Sequence, residues 1–173
     1  MSADSGSLED LSTGVWVLDP TRSSVEFRVP NFWGLAKVKG HFARYEGKLD
    51  MQGNPAIQLT IDAASLDTGN SRRDEHLRSS DFFGVENNPQ VQFTSDTAQL
   101  DGETLFTHGT LEAAGKGVPL DLRATLTPVD GEPLIEVETA VNRHDFGMTW
   151  NRVGMVGTPS TLLVKGTLVR EGS

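Results

Sequence analysis

The chain has 173 residues, which is enough for one domain around a single hydrophobic core. Its formal net charge of -9 argues against non-specific binding to nucleic acid or to an anionic membrane, because both require a positive field. The absence of cysteine excludes disulfides, thiolate metal sites and thiol nucleophiles.

The N-terminal segment, residues 1–13, has the composition of a disordered acidic tail. It carries Asp4, Glu9 and Asp10 but no basic residue and no apolar run, so it lacks both parts of a secretory signal. We therefore expect a cytoplasmic protein whose folded domain spans residues 14–173. No later segment has the length of a membrane-spanning helix, so stable membrane insertion is not expected.

From Val15 onward, apolar and polar residues alternate in short runs. Turn-forming pairs such as Asp101-Gly102 and Asp130-Gly131 separate these runs. A period of two between turns is typical of half-buried antiparallel strands. The clearest runs lie at residues 25–29, 38–42, 57–61, 91–93, 118–126, 135–141 and 162–168.

These runs predict about eight strands. An antiparallel sheet of that size must close or stack, because open edges pair with other chains. Gln58, Thr60 and Asp62 alternate with apolar neighbours, which favours a barrel wall with solvent outside. A barrel of about eight strands leaves room for side chains or for one small ligand. The sequence therefore predicts an all-β fold, a single closed antiparallel barrel.

One segment interrupts the strand pattern. Residues 66–83 combine a dense set of charged side chains with a few apolar ones, and they lie between two predicted strands. We predict one short helix there, with Asp67 or Asn70 as its N-cap and Gly84 as its stop.

Catalytic and metal-binding patterns are weak in this sequence. There is no Gly-x-Ser-x-Gly elbow, and most acidic residues alternate with apolar ones as on a solvated strand face. The four histidines, His41, His76, His108 and His144, occupy separate elements without HxH or HExxH spacing. We therefore expect no catalytic residue and no metal site.

Aromatic residues cluster in three connections between predicted strands. The three clusters are Asn31-Phe32-Trp33-Gly34, Asp81-Phe82-Phe83-Gly84 and Asp145-Phe146-Gly147. Each combines aromatic side chains with glycine or a polar group, which is the composition of a ligand pocket. We expect these connections to line the mouth of an apolar cavity.

Several separated motifs occur together in this chain. They are Trp16-x-Leu18-Asp19-Pro20, Ser23-x-Val25-x-Phe27, Val38-x-Gly40-x-Phe42, Arg73-Asp74-x-His76-Leu77-Arg78-Ser79-x-Asp81-Phe82-Phe83, Pro89 and Arg143-x-Asp145-Phe146-Gly147. In combination they resemble the YceI family of lipocalin-like lipid-binding proteins. The resemblance extends from about Val15 to the C-terminus. Arg22 and Asn31 stand where many members of the family have histidine.

The resemblance implies a lipocalin-like barrel with an internal hydrophobic channel for a long apolar molecule. We expect binding, storage or transport of an isoprenoid lipid of the polyprenyl quinone or polyprenyl phosphate class, without catalysis and with no cofactor besides the bound lipid. The residues predicted to form the channel wall are Phe27, Val29, Phe42, Leu59, Ile61, Phe93 and Leu122. Those predicted to form its mouth are Trp33, His76, Leu77, Phe82, Phe83, Arg143 and Phe146.

Two arginines of the predicted helical segment have two interpretations. Arg73 and Arg78 can pair with a phosphate or polarise a carbonyl of the lipid head group. Alternatively, they form ion pairs with Asp74, Glu75 or Asp81 on the same segment. The sequence supports both equally.

Other functions stay open as alternatives. An enzyme acting on an apolar isoprenoid-like substrate would use His76 or His144 as base, oriented by Asp74 or Asp145. A ligand-free barrel would instead act through a partner protein. A homodimer is compatible with the sequence, although no motif specifies one.

Overall fold

The computed structural model describes residues 14–32, 35–52, 55–146 and 160–171, so the predicted N-terminal tail lies outside the described residues. The described strands are β1 (Val15–Phe32), β2 (Leu35–Phe42), β3 (Tyr45–Asp50), β4 (Ala56–Asp62), β5 (Leu66–Asp67), β6 (Gln90–Asp101), β7 (Thr104–Ala113), β8 (Lys116–Val129), β9 (Glu132–Val141) and β10 (Ser160–Arg170). The described helices are α1 (Ser71–Arg78) and two short 3-10 helices, Ala63–Ser65 and Arg143–Phe146.

The strands close into one antiparallel barrel. Neighbours are hydrogen-bonded in the order β10-β9-β8-β7-β6-β4-β3-β1, and β1 pairs with β10 to complete the ring. Strand β2 shares a position with β3, because it pairs with the C-terminal half of β1 where β3 pairs with the N-terminal half. The short β5 extends the edge of β2. The predicted closed barrel of about eight strands, with one short helix in a connection, is confirmed.

The alternation of the sequence matches the two faces of the wall. In β6, Phe93 is buried whereas Thr94 is exposed, and in β7 Leu111 is buried whereas Glu112 is exposed. At one predicted reversal, Asp130 and Gly131 have φ angles of +52° and +81° and join β8 to β9. Positive φ at both positions suits a two-residue hairpin, because its twist matches that of the flanking strands.

An ion cluster stabilises residues 19–22, the segment of β1 that departs from the ladder with β10. The register of β1 against β10 shifts where residues 19–22 leave the ladder. Arg22 Nε lies 2.8 Å from Asp19 Oδ2, and Arg22 Nη1 lies 2.7 Å from Glu132 Oε1. Hydrogen bonds from Thr21 and then Arg22 lower the pKa of Asp19 to about 2, and Arg22 also lowers the pKa of Glu132. The cluster connects the start of β1 to the β8–β9 turn.

Helix α1 begins at one of its two predicted caps. The Asn70 side chain accepts a hydrogen bond from the Arg73 N–H, as an N-cap does. Asp67, the other candidate, instead accepts from the Gly69 N–H and closes a turn before the helix. Within the described ranges no helix is long and apolar enough to cross a membrane.

The helix ends earlier than predicted, so the expected stop at Gly84 is wrong. Ser79 leaves the helical conformation with a ψ of 171°, and both its N–H and its hydroxyl donate to the His76 carbonyl. Gly84, with a φ of +56°, belongs to the turn that follows. This turn, rather than the helix, therefore carries Phe82 and Phe83 toward the barrel.

Apolar side chains pack the barrel interior at the end distant from α1. Leu105, Leu126 and Pro133 are among the largest side chains that are fully buried there. They come from β7, β8 and β9, whose ladder is continuous through this end of the sheet. This packed end anchors the strands whose other ends surround the cavity described next.

Candidate binding cavity

The end of the barrel beneath α1 contains a cavity of about 110 Å³ among the described residues. Strands from most of the ring contribute to it, together with α1, the turn that follows it and the second 3-10 helix. Its lining consists of Phe27, Val29, Phe42, Ile61, Leu77, Phe82, Phe83, Val91, Leu111, Ala113, Val141, Phe146, Ser160, Thr161 and Leu162. Apart from two hydroxyl-bearing residues, all of these side chains are apolar, so the cavity suits an apolar guest.

A glycine keeps this cavity open. Phe27 lies opposite Gly40 in the β1–β2 ladder, and a Cβ atom on Gly40 would come within 2.3 Å of the Phe27 ring. The ring therefore lies flat against the wall in the space that a side chain at position 40 would fill. The Phe27 and Phe42 ring centroids are 5.2 Å apart, and Phe42 meets Phe83 edge to face at 6.0 Å.

A smaller cavity of about 50 Å³ lies deeper in the barrel. Three residues predicted for the channel wall, Leu59, Phe93 and Leu122, line this cavity and not the larger one. Leu111 and Leu162 line both cavities. The two cavities are therefore neighbours that share Leu111 and Leu162 in their linings.

Backbone hydrogen bonds position Phe82 and Phe83, which form the aromatic lip of the cavity. The Phe82 N–H donates to the Ser79 carbonyl and the Phe83 N–H to the Leu77 carbonyl, both at 3.0 Å. The His76 ring meets Phe82 edge to face at 5.2 Å. His76 thus contacts the outer side of a lining residue rather than the cavity itself.

The two arginines of α1 brace the helix against the preceding loop. Arg73 is buried and donates from Nε to the Thr68 hydroxyl and from Nη2 to the Thr68 carbonyl, at 2.8 Å each. Arg78 donates from Nε to the Ala64 carbonyl at 3.0 Å and from Nη2 to the Leu66 carbonyl at 2.8 Å. Their contact with a lipid head group stays a prediction.

Two of the three carboxylates proposed as partners of these arginines have other partners. Asp74 is buried and accepts from the N–H and the hydroxyl of Thr68. Asp81 Oδ2 lies 2.9 Å from His76 Nε2. The bracing of α1 thus depends on a threonine and on backbone oxygens instead of the predicted ion pairs.

Most of the predicted site residues converge on the larger cavity. Those that line it are Phe27, Val29, Phe42, Ile61, Leu77, Phe82, Phe83 and Phe146. The side chains of Trp33 and Arg143 lie outside the described part of the structure. The binding role of all these residues stays a prediction.

Sequence reasoning missed several lining residues. Val91 could have been predicted from the alternation in β6, since it shares a strand face with Phe93. Leu111 and Ala113 follow the same period in β7, but Thr107 and Gly109 on that face obscure the apolar run. No sequence signal indicated that these positions face one common space.

Among the residues that the structure describes, no titratable group lines the larger cavity. Of the residues considered for catalysis, His144 and Asp145 are exposed, and Asp74 is hydrogen-bonded to Thr68. In the described ranges, no three His, Asp or Glu side chains come together as a cation site. The described lining of the cavity is thus suited to contact with an apolar molecule.

Comparison with known proteins gives consistent matches over most of the chain. The family model for the YceI-like domain matches residues 16–168. A UPF0312 protein of Enterobacter sp. (strain 638) is 33% identical over 135 residues, 72% of this chain and 70% of that protein. Protein YceI of Escherichia coli O157:H7 is 32% identical over 134 residues, with coverage of 72% and 70%.

Solved structures match the fold. BcnA of Burkholderia cenocepacia superposes with a TM-score of 0.78 at 18% identity and covers 88% of this chain and 99% of its own. A polyisoprenoid binding domain from Saccharophagus degradans gives a TM-score of 0.71 at 16% identity, with coverage of 90% and 98%. The predicted resemblance is confirmed, and the chain belongs to the YceI-like family.

Proposed function

We propose that this protein binds one long-chain isoprenoid lipid inside its barrel and stores or carries it without altering it. The observation that supports this most strongly is the larger cavity, whose lining is apolar apart from Ser160 and Thr161. A domain of the same fold from Saccharophagus degradans is described as polyisoprenoid-binding. A lining of this kind suits a carrier, because its described residues offer no general base to the guest.

The free energy of binding would come from burying the chain. Each buried methylene contributes about 0.8 kcal/mol, so a five-carbon isoprene unit contributes about 3 kcal/mol before ordering costs. Micromolar affinity corresponds to about 8 kcal/mol, which a few units supply. We therefore expect affinity to rise with the number of isoprene units that reach the interior.

A long chain must displace part of the lining. The cavity of about 110 Å³ is smaller than the roughly 150 Å³ that accommodates benzene in an engineered protein core. We expect Phe82 and Phe83 to move, because a turn carries them, whereas most of the other lining residues project from hydrogen-bonded strands. The aromatic lip would then cover the part of the chain nearest to α1.

We expect an uncharged head group, such as a quinone, phenol or alcohol. A phosphate needs cations or several N–H donors. Arg73 and Arg78 already donate to Thr68 and to the carbonyls of Ala64 and Leu66. Their use in bracing α1 favours the quinone class over the phosphate class.

The first test is to identify the molecule that accompanies the protein. We expect native mass spectrometry of protein purified from its own host to show an adduct, and solvent extraction to release an isoprenoid lipid of the same mass. Repeated preparations without any apolar adduct would contradict the proposal.

The second test fills the cavity. Ala113 is buried and lines the cavity, so Ala113→Phe should occupy the space and abolish binding of a fluorescent isoprenoid while the barrel stays folded. Glu138→Phe adds the same ring on the exposed face of β9 and should bind like the wild type. Equal affinities of the two variants would place the site elsewhere.

A further inference from the structure

We infer that Leu111 and Leu162 divide the barrel interior into two compartments and thereby set how much of an isoprenoid chain the protein accepts. This inference rests on the proposed function and adds a chain-length determinant to it. The outer compartment is the cavity of about 110 Å³ beneath α1, and the inner one is the cavity of about 50 Å³.

The shared lining locates the division. Leu111 and Leu162 contact both compartments, whereas Phe27 lines only the outer one and Phe93 only the inner one. Leu111 lies opposite Phe93 in the β6–β7 ladder, and Leu162 lies opposite Phe27 in the β1–β10 ladder. The two leucines therefore occupy the level at which one compartment gives way to the other.

The barrel topology places the two leucines on different sides of the interior. Leu111 belongs to β7 and Leu162 to β10, and the shorter path between these strands around the eight-membered ring crosses β8 and β9. Both side chains face inward, because both line the two cavities. Side chains that project from well-separated walls at one level can close the passage between them.

The inner compartment is mostly apolar, although Lys48, Gln58 and Thr139 also line it. Its lining includes Phe93, Leu120, Leu122, Ile135 and Val164. A mostly apolar void of this kind forfeits packing contacts that side chains would otherwise make. Its chemistry matches the terminal isoprene unit of a chain that has passed the two leucines.

The division makes a specific prediction for affinity against chain length. In the wild type, the affinity for linear prenyl alcohols should rise with each isoprene unit and then level off once the outer compartment is full. Leu111→Ala removes one side of the division and joins the two spaces. Since each further buried methylene tightens binding about fourfold, the alcohol one unit beyond the wild-type limit should bind at least about tenfold more tightly to the variant.

The experiment measures dissociation constants for a series of prenyl alcohols that differ by one isoprene unit, by displacement of a fluorescent lipid. Leu162→Ala gives a second way to open the division, from a residue that is only partly buried, should Leu111→Ala fold poorly. Leu122→Ala is the matched control, because Leu122 lines only the inner compartment. This control enlarges the inner space without opening the passage. The chain length beyond which affinity no longer rises should therefore stay as in the wild type.

The outcomes separate the inference from the proposed function. A limit that moves to longer chains in Leu111→Ala or Leu162→Ala, but not in Leu122→Ala, supports the division. Saturable binding with the same limit in all four proteins overturns the division and leaves lipid binding intact. The same shift in Leu122→Ala as in Leu111→Ala also overturns it. Failure of every prenyl alcohol to bind the wild type overturns the proposed function, and the division with it.

Discussion

The two ends of the barrel interior are filled in different ways. At the end distant from α1, Leu105, Leu126 and Pro133 are fully buried. At the α1 end, aromatic and aliphatic side chains surround an unfilled space of about 110 Å³. Packed apolar contacts stabilise a fold, whereas a void lacks them. We therefore expect the packed end to contribute more to the stability of the barrel, and the hollow end to gain contacts when a ligand binds.

The largest effect should come from a cavity made at the packed end. Leu126→Ala should lower the free energy of unfolding by about 2–5 kcal/mol, because the surrounding side chains cannot collapse into the space. Phe83→Ala, at the half-buried lip of the hollow end, should lower it by about 1 kcal/mol. Urea denaturation of the two ligand-free variants measures the difference. Equal losses of unfolding free energy in the two variants would show that the two ends contribute equally to stability.

A smaller loss should follow when the polar bracing of the hollow end is removed. Arg73→Met keeps an apolar stem but removes the donors to the Thr68 hydroxyl and carbonyl, so unfolding should become easier by about 1–3 kcal/mol. Arg72→Met changes the exposed neighbouring arginine and should stay within about 0.5 kcal/mol of the wild type. Thermal unfolding of both variants tests whether hydrogen bonds hold α1. Similar behaviour of the two would reject that role.

The cavity at the hollow end can also be narrowed by a substitution at a residue that does not line it. Gly40→Ala should force the Phe27 ring away from the wall and into the cavity, which removes space for about two methylenes of a guest. Affinity for a fluorescent isoprenoid should fall about tenfold. Gly117→Ala is the matched control at an exposed strand position, where the added methyl meets Thr110 Cγ2 at 3.0 Å. An equal loss of affinity in Gly117→Ala would show that an added methyl group on a strand weakens binding regardless of its position.

The smallest effect should appear at acidic pH. The pKa of Asp19 is lowered from 3.8 to about 2 by hydrogen bonds from Thr21 and Arg22. Because the folded-state pKa is lowered, the stabilisation is complete above about 3.8 and is lost as the pH falls toward about 2. The cluster is at the surface, so the contribution is modest. Asp19→Asn should flatten this acid limb in unfolding experiments between pH 5 and pH 2, whereas an unchanged limb would assign acid sensitivity to other carboxylates.

Much of the fold could be predicted because the rules that govern it are local. The period of two in β6 and β7 identified Phe93 as buried, and the Asp130-Gly131 pair marked a hairpin turn. The helix was located correctly, but its end was not. A serine that caps the carbonyl of His76 competes with the helix, and the glycine that looked like the stop serves the next turn.

The candidate site could be predicted only in part. Aromatic clusters indicated Phe82, Phe83 and Phe146, which do line the larger cavity. The pairing of Phe27 with Gly40 depends on the register between two strands, so the reason why the cavity stays open was not visible in the sequence. Leu111 was likewise missed, because nothing local distinguishes a leucine between two cavities from one in a packed core.

By itself the sequence determined the strand pattern, the single helical insert and the family, because side-chain alternation, turn chemistry and recurring motifs are properties of neighbouring residues. Only the tertiary structure decided which inward side chains surround a space and which fill it. It also showed that Arg73 and Arg78 brace a loop. These outcomes depend on the closure of the ring, which brings β1 against β10 and sets every inward residue at a fixed level in the barrel.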